Sequence, residues 1–586
     1  MNWNLEVIYK TKEEFLKELQ ETSLMVDKAK AYKGKLDNEK NFVEYLLLNR
    51  EFEEKGSKLY LYAHLSSDLN KKDVEKLGFV SSCMNLFNEF SVATSFEQPE
   101  LLKIGKEKVF KFIDNNKEIE EFRFIMEKMF HQADHILTDS EERIMSLASP
   151  AISKGGDLYS MLAVADNVVN KVELNGVEYP VTQGNWQELI KKEKDVNNQQ
   201  KIFEAIFKKY ELNKNTYATI YDYIMESNKA RMKARGYDSI LGMHLYGNNI
   251  PTAVYETLID VAGNNTEAIK KYISLRKKFF KLDNYRTYHR FLKMAESNKE
   301  YNFDEAKELF FKSIEKFPED FQNKAHMALE DGYVDVYEKD GKRTGAYSSS
   351  VENFHPFILL NFQNSLDSVF TVAHESGHST HSLYACEAQP TLLQNYTIFV
   401  AEIASTFNEH NLLDYLMNSG KLSKDEQIML LQQAIDDIMS TFYRQTLFAE
   451  YELKASRLKE QGQSLNYEVL SNIMIDLYQK YYGIDIKEEV YKQFVWAYIP
   501  HLFYTPFYVY QYATSFAASF RLYQNVKDNV PGAFERYTNL LKAGGSKYPT
   551  DIAKDAGIDF TQKETFEAVV NRMKELVDKL EQLLNE

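Results

Sequence analysis

The segment HESGH at 374–378 places two histidines and a glutamate at a spacing that suits metal chemistry. On a helix, His374 and His378 lie one turn apart and project from the same face. Two imidazoles so placed can both bind one Zn²⁺, each at about 2.1 Å. Glu375 then lies beside the metal and can accept a proton from a water molecule that the metal polarises. The motif therefore predicts a zinc hydrolase that uses activated water as its nucleophile.

The residues that precede this motif predict that its helix is buried. Val369, Phe370, Val372 and Ala373 are all apolar. Burying ionisable side chains is costly unless they have bonding partners, so two histidines and a glutamate on a buried helix need a reason. This context favours a metal site over the alternative, a hydrogen-bonded pair of core histidines.

A zinc site needs a third protein ligand, and the residues after the motif exclude one source. One class of zinc peptidase with this motif has a glycine seven residues after the first histidine and a third histidine three residues later. This chain has His381 and Tyr384 at those two places, which excludes that class. His381 also lies about 10.5 Å from His374 along the helix axis, so one metal cannot bind all three histidines. We therefore assign His381 a structural or supporting role.

Glu402 is the predicted third ligand. The first helix can run to about Ala388, because Pro390 then breaks it. From His378 to Ala388 is about 15 Å of helix, and from Pro390 to Glu402 is about 18 Å in the reverse direction. An antiparallel helix pair therefore returns Glu402 to the level of the histidines. Glu409, further along the second helix, is a weaker candidate that could orient one histidine.

Length and composition predict a mainly helical protein with two or more lobes. A chain of 586 residues is too long for one compact core. Only 23 Gly and 11 Pro interrupt long periodic stretches, which favours helices. The polar segment KKEKDVNNQQ at 191–200 is the candidate boundary, although it could equally be a solvated helix face. It predicts an N-terminal helical lobe over 1–195 and a catalytic domain over 196–586.

Two short β regions are expected among the helices. The segment VELNGVEY at 172–179 predicts a hairpin, because Asn-Gly supplies the two positive-φ residues of a type I′ turn. Residues 333–337 and 344–347 flank Asp340-Gly341, which predicts a second hairpin. The apolar run at 355–362 has the length of a strand.

Charge and cysteine content exclude several function classes. A net charge of −16 argues against nucleic acid as a partner, since phosphate binding needs clustered Lys and Arg. Two distant cysteines, Cys83 and Cys386, give neither a disulfide framework nor a thiolate metal site.

The N-terminus has no signal-peptide pattern. Residues 493–520 lack charge but contain Pro500, Pro506 and His501, so we interpret them as a buried functional wall and not a membrane span.

These motifs resemble those of oligoendopeptidase F, a group of the thimet oligopeptidase-like zinc metallopeptidases. HESGHSTHS at 374–382 is similar to the HExGHxxH segment of that family, and FVAEIASTFNE at 399–409 resembles its second metal helix, with Glu402 in the ligand position. Other matching segments extend the resemblance over essentially the whole chain: ARGY at 234–237, NNIP at 248–251, GAYSS at 345–349 and PFILLNF at 356–362.

The resemblance implies a mainly α, two-lobed metallopeptidase with a deep central channel and a small β-sheet beside the HExxH helix. Such proteins cleave internal bonds of short peptides, exclude folded proteins and usually act in the cytoplasm. One Zn²⁺ per chain is implied, with short peptides as partners, no nucleic acid and no membrane; the oligomeric state stays open. Alternatives are a zinc carboxypeptidase that releases C-terminal residues, an inactive peptide-binding homologue, and a helical scaffold with a fortuitous motif.

The resemblance also implies a catalytic histidine that is followed by tyrosines, which His501 and the residues after it match. A tetrahedral intermediate needs donors aimed at its oxyanion, and imidazole and phenol groups can supply them. His501 is therefore expected to be catalytic. Tyr508 and Tyr512 are four residues apart on one helix face, and Tyr508 is the tyrosine that we expect to be catalytic. Tyr504 and Tyr510 stay open as alternatives, since the spacing does not determine which tyrosine takes part.

The substrate is expected to lie extended along the strands around 345–362 and to pair through its backbone. Tyr347 and Gly345 are expected to contact it there, and Tyr504 and Tyr512 from the tyrosine segment. One segment departs from the family pattern: an acidic residue is expected in a YDLY-like segment where this chain has YHRF at 288–291.

Overall fold

Helices make up most of the molecule in the computed structural model, which describes residues 2–297 and 299–586. About 70% of the residues are helical and 3% are in strands, which confirms the mainly α prediction. Within the described residues the α-helices, numbered α1 to α27 in chain order, are Lys12–Lys30, Glu39–Leu69, Val74–Ala93, Glu97–Ile104, Lys106–Asn115, Phe122–His131, Asp139–Ile152, Gly155–Ser160, Trp186–Lys192, Val196–Leu212, Lys214–Ala234, Ile240–Tyr246, Thr252–Asn264, Glu267–Phe279, Phe303–Ser313, Glu319–Ala328, Leu366–Ala388, Ile398–Asn418, Lys424–Asp437, Arg444–Glu460, Tyr467–Tyr482, Val495–Tyr498, His501–Tyr504, Tyr510–Lys527, Ala533–Lys542, Pro549–Asp555 and Lys563–Asn585.

The strands form two small sheets. They are β1 Asn170–Leu174, β2 Val177–Val181, β3 Val334–Asp335, β4 Tyr347–Ser349 and β5 Phe357–Leu359. The first two pair antiparallel around Asn175 and Gly176, whose φ angles are 54° and 81°. This confirms the hairpin that the Asn-Gly dipeptide predicts.

The second predicted hairpin is wrong. β3 and β4 do not pair with each other; both pair with β5, in the order β3-β5-β4. β3 runs parallel to β5 and β4 runs antiparallel to it. The physical reason is burial: Phe357, Ile358 and Leu359 are fully buried, so the apolar strand takes the central position that the turn at Asp340-Gly341 could not predict.

The sheet is tied to its surroundings by buried polar contacts. Trp3 donates from Nε1 to the Ile358 carbonyl at 2.8 Å, which holds the N-terminus against β5. Lys342 and Asp335 form an ion pair of 2.6 Å in which both side chains are fully buried. Lys342 also donates to the Tyr337 carbonyl at 2.7 Å, so the buried charge has further partners.

The chain folds into two compact units, and each unit is built from three segments of the sequence. The first contains residues 1–134, 298–419 and 522–558; the second contains 135–297, 420–521 and 559–586. The segments group differently from a single boundary near residue 195. The division into a lobe over 1–195 and a catalytic domain over 196–586 therefore stays a prediction.

The uncharged stretch at 493–520 is not one continuous helix. It is divided among α22, α23 and the start of α24, with a turn at Phe507, whose φ is 61°. In the described part of the chain, no helix combines the length and the apolar character that crossing a bilayer requires.

Candidate metal centre and active site

The predicted metal-ligand residues lie on the antiparallel helices α17 and α18 of the first unit. Asn408 of α18 donates to the Ala373 carbonyl of α17 at 3.0 Å. Towards the end of α17, the Ser382 hydroxyl lies 3.2 Å from that of Tyr396, which comes just before α18. The helices meet closely at Gly377, where a Cβ atom would lie 2.5 Å from the Ala404 carbonyl oxygen. Glycine at this position therefore allows the two backbones to approach.

The predicted end of the first helix is confirmed, but the predicted start of the second is wrong. α17 ends at Ala388, whereas α18 begins at Ile398 and not at Pro390. The intervening residues form a turn because Gln394 donates through its side-chain amide to the Gln389 carbonyl at 3.0 Å. The Gly545 amide also donates to the Leu393 carbonyl at 2.8 Å. One local bond and one tertiary bond therefore stabilise this segment outside α18.

Three predicted ligands converge despite this difference. His374 Nε2 and His378 Nε2 each lie 3.4 Å from Glu402 Oε2 and 3.2 Å from each other. A tetrahedral metal with bonds of about 2.1 Å separates its ligand atoms by about 3.4 Å. His374, His378 and Glu402 therefore have the donor types and the separations of a three-residue zinc site.

The charges around these ligands favour a cation. Burial opposes ionisation of Glu402, but the hydrogen bond and charge of His378 lower the pKa of Glu402 to about 2. Burial likewise disfavours a charged His374, but Glu409 and two further carboxylates outweigh it and raise the His374 pKa to about 9. His374 Nδ1–H donates to Glu409 Oε1 at 2.6 Å, so Glu409 occupies the orienting position proposed for it.

Glu375 lies beside the ligands with a carboxylate oxygen available for chemistry. Its side chain is 5% exposed, and Oε2 is buried without a hydrogen-bond partner among the described residues. Burial raises the pKa of Glu375. Glu375, His374, His378 and Glu402 line one cavity of about 470 Å³. An unpaired carboxylate in that cavity has the position and the lone pair of a general base.

The edge of the small sheet forms another wall of this cavity. Tyr347 and Ser348 of β4 line it, and Ser348 Oγ lies 2.9 Å from Ser379 Oγ of α17. This confirms the small sheet beside the HExxH helix. Tyr347 donates its hydroxyl to Asp68 at 2.7 Å, so its phenol is already bonded within the protein. Gly345, with a φ of 85°, lies just before the residues that line the cavity.

The tyrosine segment belongs to the second unit, where His501, Tyr508 and Tyr512 cluster. The ring centroids of His501 and Tyr508 are 6.2 Å apart and nearly parallel, and those of Tyr508 and Tyr512 are 5.6 Å apart. The premise that both tyrosines share one helix face is wrong, because α24 begins at Tyr510 and Tyr508 lies in the preceding turn. Tyr510 is 2% exposed, so it is a core residue.

Tyr504 has a different environment from these tyrosines. It lies at the end of α23, is 47% exposed and packs edge-on against Tyr159 at 5.3 Å between ring centroids. Its exposure leaves its hydroxyl available to a ligand, and its contact with substrate stays a prediction.

Comparison with known proteins identifies the family. The profile of Peptidase family M3 matches residues 189–572, and that of Oligopeptidase F matches residues 100–167. The chain belongs to peptidase family M3. It is therefore a metallopeptidase, and the resemblance to oligoendopeptidase F is confirmed.

Relatives match this M3 peptidase over almost its full length. Oligopeptidase PepF of Bacillus subtilis (strain 168) is 33% identical, covering 99% of this chain and 87% of that protein. The oligoendopeptidase F homolog of Borreliella burgdorferi is 34% identical, covering 98% and 96%. The crystal structure of oligoendopeptidase-F from Enterococcus faecium superposes with a TM-score of 0.76 at 26% identity, covering 98% of this chain and 99% of that one.

Among the described residues of this M3 peptidase, His381 is not part of the candidate metal-binding group of His374, His378 and Glu402. Its ring stacks on Tyr396 at 3.6 Å between centroids, and the side chain is 1% exposed. Burial lowers the His381 pKa to about 3, so the ring is a neutral packing element. The structural role assigned to His381 agrees with this contact.

One residue of the M3 chain that sequence analysis missed is Glu452. Its side chain is 1% exposed on α20 and accepts the Phe507 amide proton at 2.7 Å. Phe507 has a left-handed backbone that a bulky residue rarely adopts, so this bond stabilises the turn that carries Tyr508. The available signal was a glutamate among apolar neighbours, but its partner is 55 residues away.

Replacement of Glu409 by glutamine is expected to weaken zinc binding about 10- to 100-fold, because the His374 ring loses its charged acceptor. Competition with a chromogenic chelator measures this affinity. Glu387→Gln is the matched control, because Glu387 lies on α17 with its side chain 64% exposed. Equal zinc affinity in the Glu409 and Glu387 variants would contradict an orienting role for Glu409.

Replacement of Glu452 by glutamine is expected to stabilise the protein increasingly as pH rises. Burial raises the Glu452 pKa to about 8, above its value in the unfolded chain. The native state therefore holds a proton that the unfolded chain releases, so the stability from protonated Glu452 is lost between about pH 5 and pH 8. Glutamine keeps an acceptor for Phe507 and cannot ionise.

The melting temperature of Glu452→Gln relative to the wild type should therefore increase over that pH range and level off above it. The slope corresponds to at most about 1.4 kcal/mol per pH unit. The exposed Glu468, at the start of α21, provides a Glu→Gln control. A difference between the Glu452 variant and the wild type that does not change with pH would show that Glu452 is ionised in the native state.

Proposed function

We propose that this M3 peptidase is a zinc-dependent oligoendopeptidase that hydrolyses internal bonds of short peptides. The observation that carries the proposal is the convergence of His374, His378 and Glu402 next to the unpaired Glu375 carboxylate. The names of the relatives, oligopeptidase and oligoendopeptidase F, support the same substrate class. One zinc ion per chain and action in the cytoplasm are part of the proposal.

The proposed mechanism assigns a separate role to each group. A zinc ion held by the three ligands would supply Lewis acidity at the scissile carbonyl. Glu375 accepts a proton from the attacking water and then delivers it to the leaving amine nitrogen. His501 and Tyr508 donate hydrogen bonds to the oxyanion of the tetrahedral intermediate. The clustering of His501 and Tyr508 in the second unit supports their joint assignment.

The proposed substrate site uses the edge strand β4. Because β4 pairs with β5 on one side only, its other edge can accept an extended peptide through backbone hydrogen bonds. Tyr347 and Gly345 would contact that peptide from β4, and Tyr504 and Tyr512 from the tyrosine segment. Backbone pairing at β4 would allow many different side chains in the substrate. Nucleic acid and membranes are not proposed as partners.

Mass spectrometry of the products from a mixed peptide library tests this function. Internal cleavage that a chelator abolishes and one equivalent of Zn²⁺ restores is the expected result. Successive loss of single C-terminal residues would favour a carboxypeptidase. Peptide binding without cleavage would favour an inactive homologue, and stoichiometric metal analysis showing no zinc would contradict the metal centre itself.

A further inference from the structure

The second compact unit contains a cavity of about 280 Å³ that the proposed reaction does not use. Aromatic rings form much of its wall: Trp186, Phe207, Phe291, Tyr482 and Tyr498. Small-molecule sites in proteins are concave, mostly apolar and about 300–1,000 Å³ in volume, with a few polar groups. This cavity is at the lower end of that range, which suits a small metabolite and not a peptide.

Three cationic side chains converge on this cavity. Arg290, Arg444 and Lys492 all line it, and Lys492 is only 4% exposed. Among the described residues, none of the three forms an ion pair with a carboxylate within 4.0 Å. Lys492 is buried, and Arg290 and Arg444 are half-buried. Charges with little access to solvent are normally paired, so these three cations around one cavity require an explanation.

Lys492 and Arg290 contact aromatic rings. The Lys492 ammonium lies 5.0 Å from the ring centroid of Phe207 and 5.4 Å from that of Tyr478. Arg290 lies 4.5 Å from the ring of Phe291. A cation–π contact compensates only part of the cost of burying a charge.

The carboxylates near the cavity are engaged by other donors. Asp436 accepts hydrogen bonds from Tyr272 at 2.9 Å and Gln432 at 3.3 Å. Glu489 accepts from the amide and the hydroxyl of Thr287 at 2.6 and 2.7 Å. Asp437 also lines the cavity and contributes one further negative charge. The donors in these hydrogen bonds are Tyr272, Gln432 and Thr287, and none of the three cations.

Like-charge repulsion acts within this group. Burial lowers the pKa of Arg290, and the neighbouring charge of Arg444 lowers it further. Burial also lowers the pKa of Lys492 well below its usual range; Glu489 opposes this effect and Arg444 adds to it. A bound anion would relieve this repulsion.

The cavity has two further unusual features, one in the backbone and one in the sequence. Residues Ile438–Tyr443, between α19 and α20, form a π-helical segment that places Met439 and Ser440 in the wall. Short π-helical segments occur frequently at functional sites. Arg290 belongs to the YHRF segment at 288–291, where the family resemblance leads us to expect an acidic residue.

We propose that this cavity binds a small multivalent oxyanion, with its phosphate or carboxylate groups on Arg290, Arg444 and Lys492 and its remaining atoms against the aromatic wall. Guanidinium groups bind such anions through two parallel hydrogen bonds, and Lys492 adds a point charge. This ligand site is additional to the peptidase chemistry.

Titration of the full-length protein with inorganic phosphate and with succinate tests this proposal. One equivalent of at least one anion should bind in calorimetry and raise the melting temperature, whereas sodium chloride at equal ionic strength should do neither. Preference for phosphate or for succinate identifies the anion class. Arg290→Gln and Arg444→Gln should each weaken binding at least about tenfold. Arg457→Gln, on the same helix as Arg444 but 55% exposed, should leave binding unchanged.

The melting temperature without anion separates binding from a structural role. Each of the two arginine replacements should slightly raise the melting temperature of the anion-free protein, because repulsion between the cations is relieved. The same replacement should abolish the increase in melting temperature that the anion causes in the wild type. Lys492→Met provides a third variant with the same expected pattern. Absence of binding to the wild type, or binding that survives all three replacements, would overturn the proposal. A lower melting temperature with an intact anion response would overturn it as well.

Discussion

Replacement of Glu375 by glutamine is expected to abolish peptide hydrolysis while leaving zinc bound. Glutamine has nearly the same shape but cannot accept the proton of the attacking water. Glu375 is 5% exposed and its Oε2 atom has no hydrogen-bond partner among the described residues, so the substitution disturbs little else. Loss of a general base lowers kcat by about 10²–10⁴-fold. Cleavage of an internally quenched peptide and the zinc content of the purified variant are the two measurements.

Two further Glu→Gln variants, one at a predicted metal ligand and one at an exposed glutamate, serve as comparisons for Glu375→Gln. Glu402→Gln should lose both zinc and activity, because Glu402 is the carboxylate that both histidines face. Glu387→Gln, on the exposed face of α17, should keep both. If Glu375→Gln retained more than about a tenth of wild-type turnover, Glu375 could not be the general base. Loss of zinc from that variant would point to a structural role instead.

The grouping of the three candidate metal ligands was predictable from sequence, because much of it depends on local helical spacing. Helical spacing places His374 and His378 on one face, and a proline break limits α17. The return to Glu402 was calculated from helix rise alone, but α18 begins at Ile398, so the segment between the two helices supplies part of that return. Glu409 followed from the same helical periodicity, and its contact with His374 is confirmed at 2.6 Å.

Features that depend on distant contacts were not predictable. The second hairpin failed because β5, and not the Asp340-Gly341 turn, determines how β3 and β4 pair. The left-handed Phe507 moves Tyr508 off the helix of Tyr512, and the bond that stabilises it comes from α20. The cationic cavity likewise combines residues from separate segments of the chain. Burial and pairing at long range override local propensity in each case.

Replacement of Gly377 by alanine is expected to destabilise the packing of α17 on α18 and to weaken zinc binding. The added Cβ atom would lie 2.5 Å from the Ala404 carbonyl oxygen and 2.6 Å from Ser405 Cα, both of them backbone atoms. Backbone atoms cannot rotate away as side chains do, so the helices must separate. Overpacking of this kind costs about 1–3 kcal/mol or more.

Separation of the helices should also move Glu402 away from His374 and His378. These ligand atoms lie 3.4 Å apart across the two helices, and one metal must bind all three. Zinc affinity should therefore fall at least about tenfold, a change that equilibrium competition with a chelator can measure. Thermal unfolding of the zinc-free protein measures the packing cost separately.

Gly78→Ala is the matched control for this prediction. Gly78 lies within α3 and an added Cβ atom there would meet no atom within 4 Å, other than its neighbours and its own helix backbone. Alanine should stabilise that helix by up to about 1 kcal/mol through its higher helix propensity. Opposite changes in melting temperature for the two Gly→Ala variants would show that close backbone approach, and not helix propensity, selects glycine at 377. A Gly377→Ala variant with unchanged stability and zinc affinity would show that the helices tolerate a wider separation.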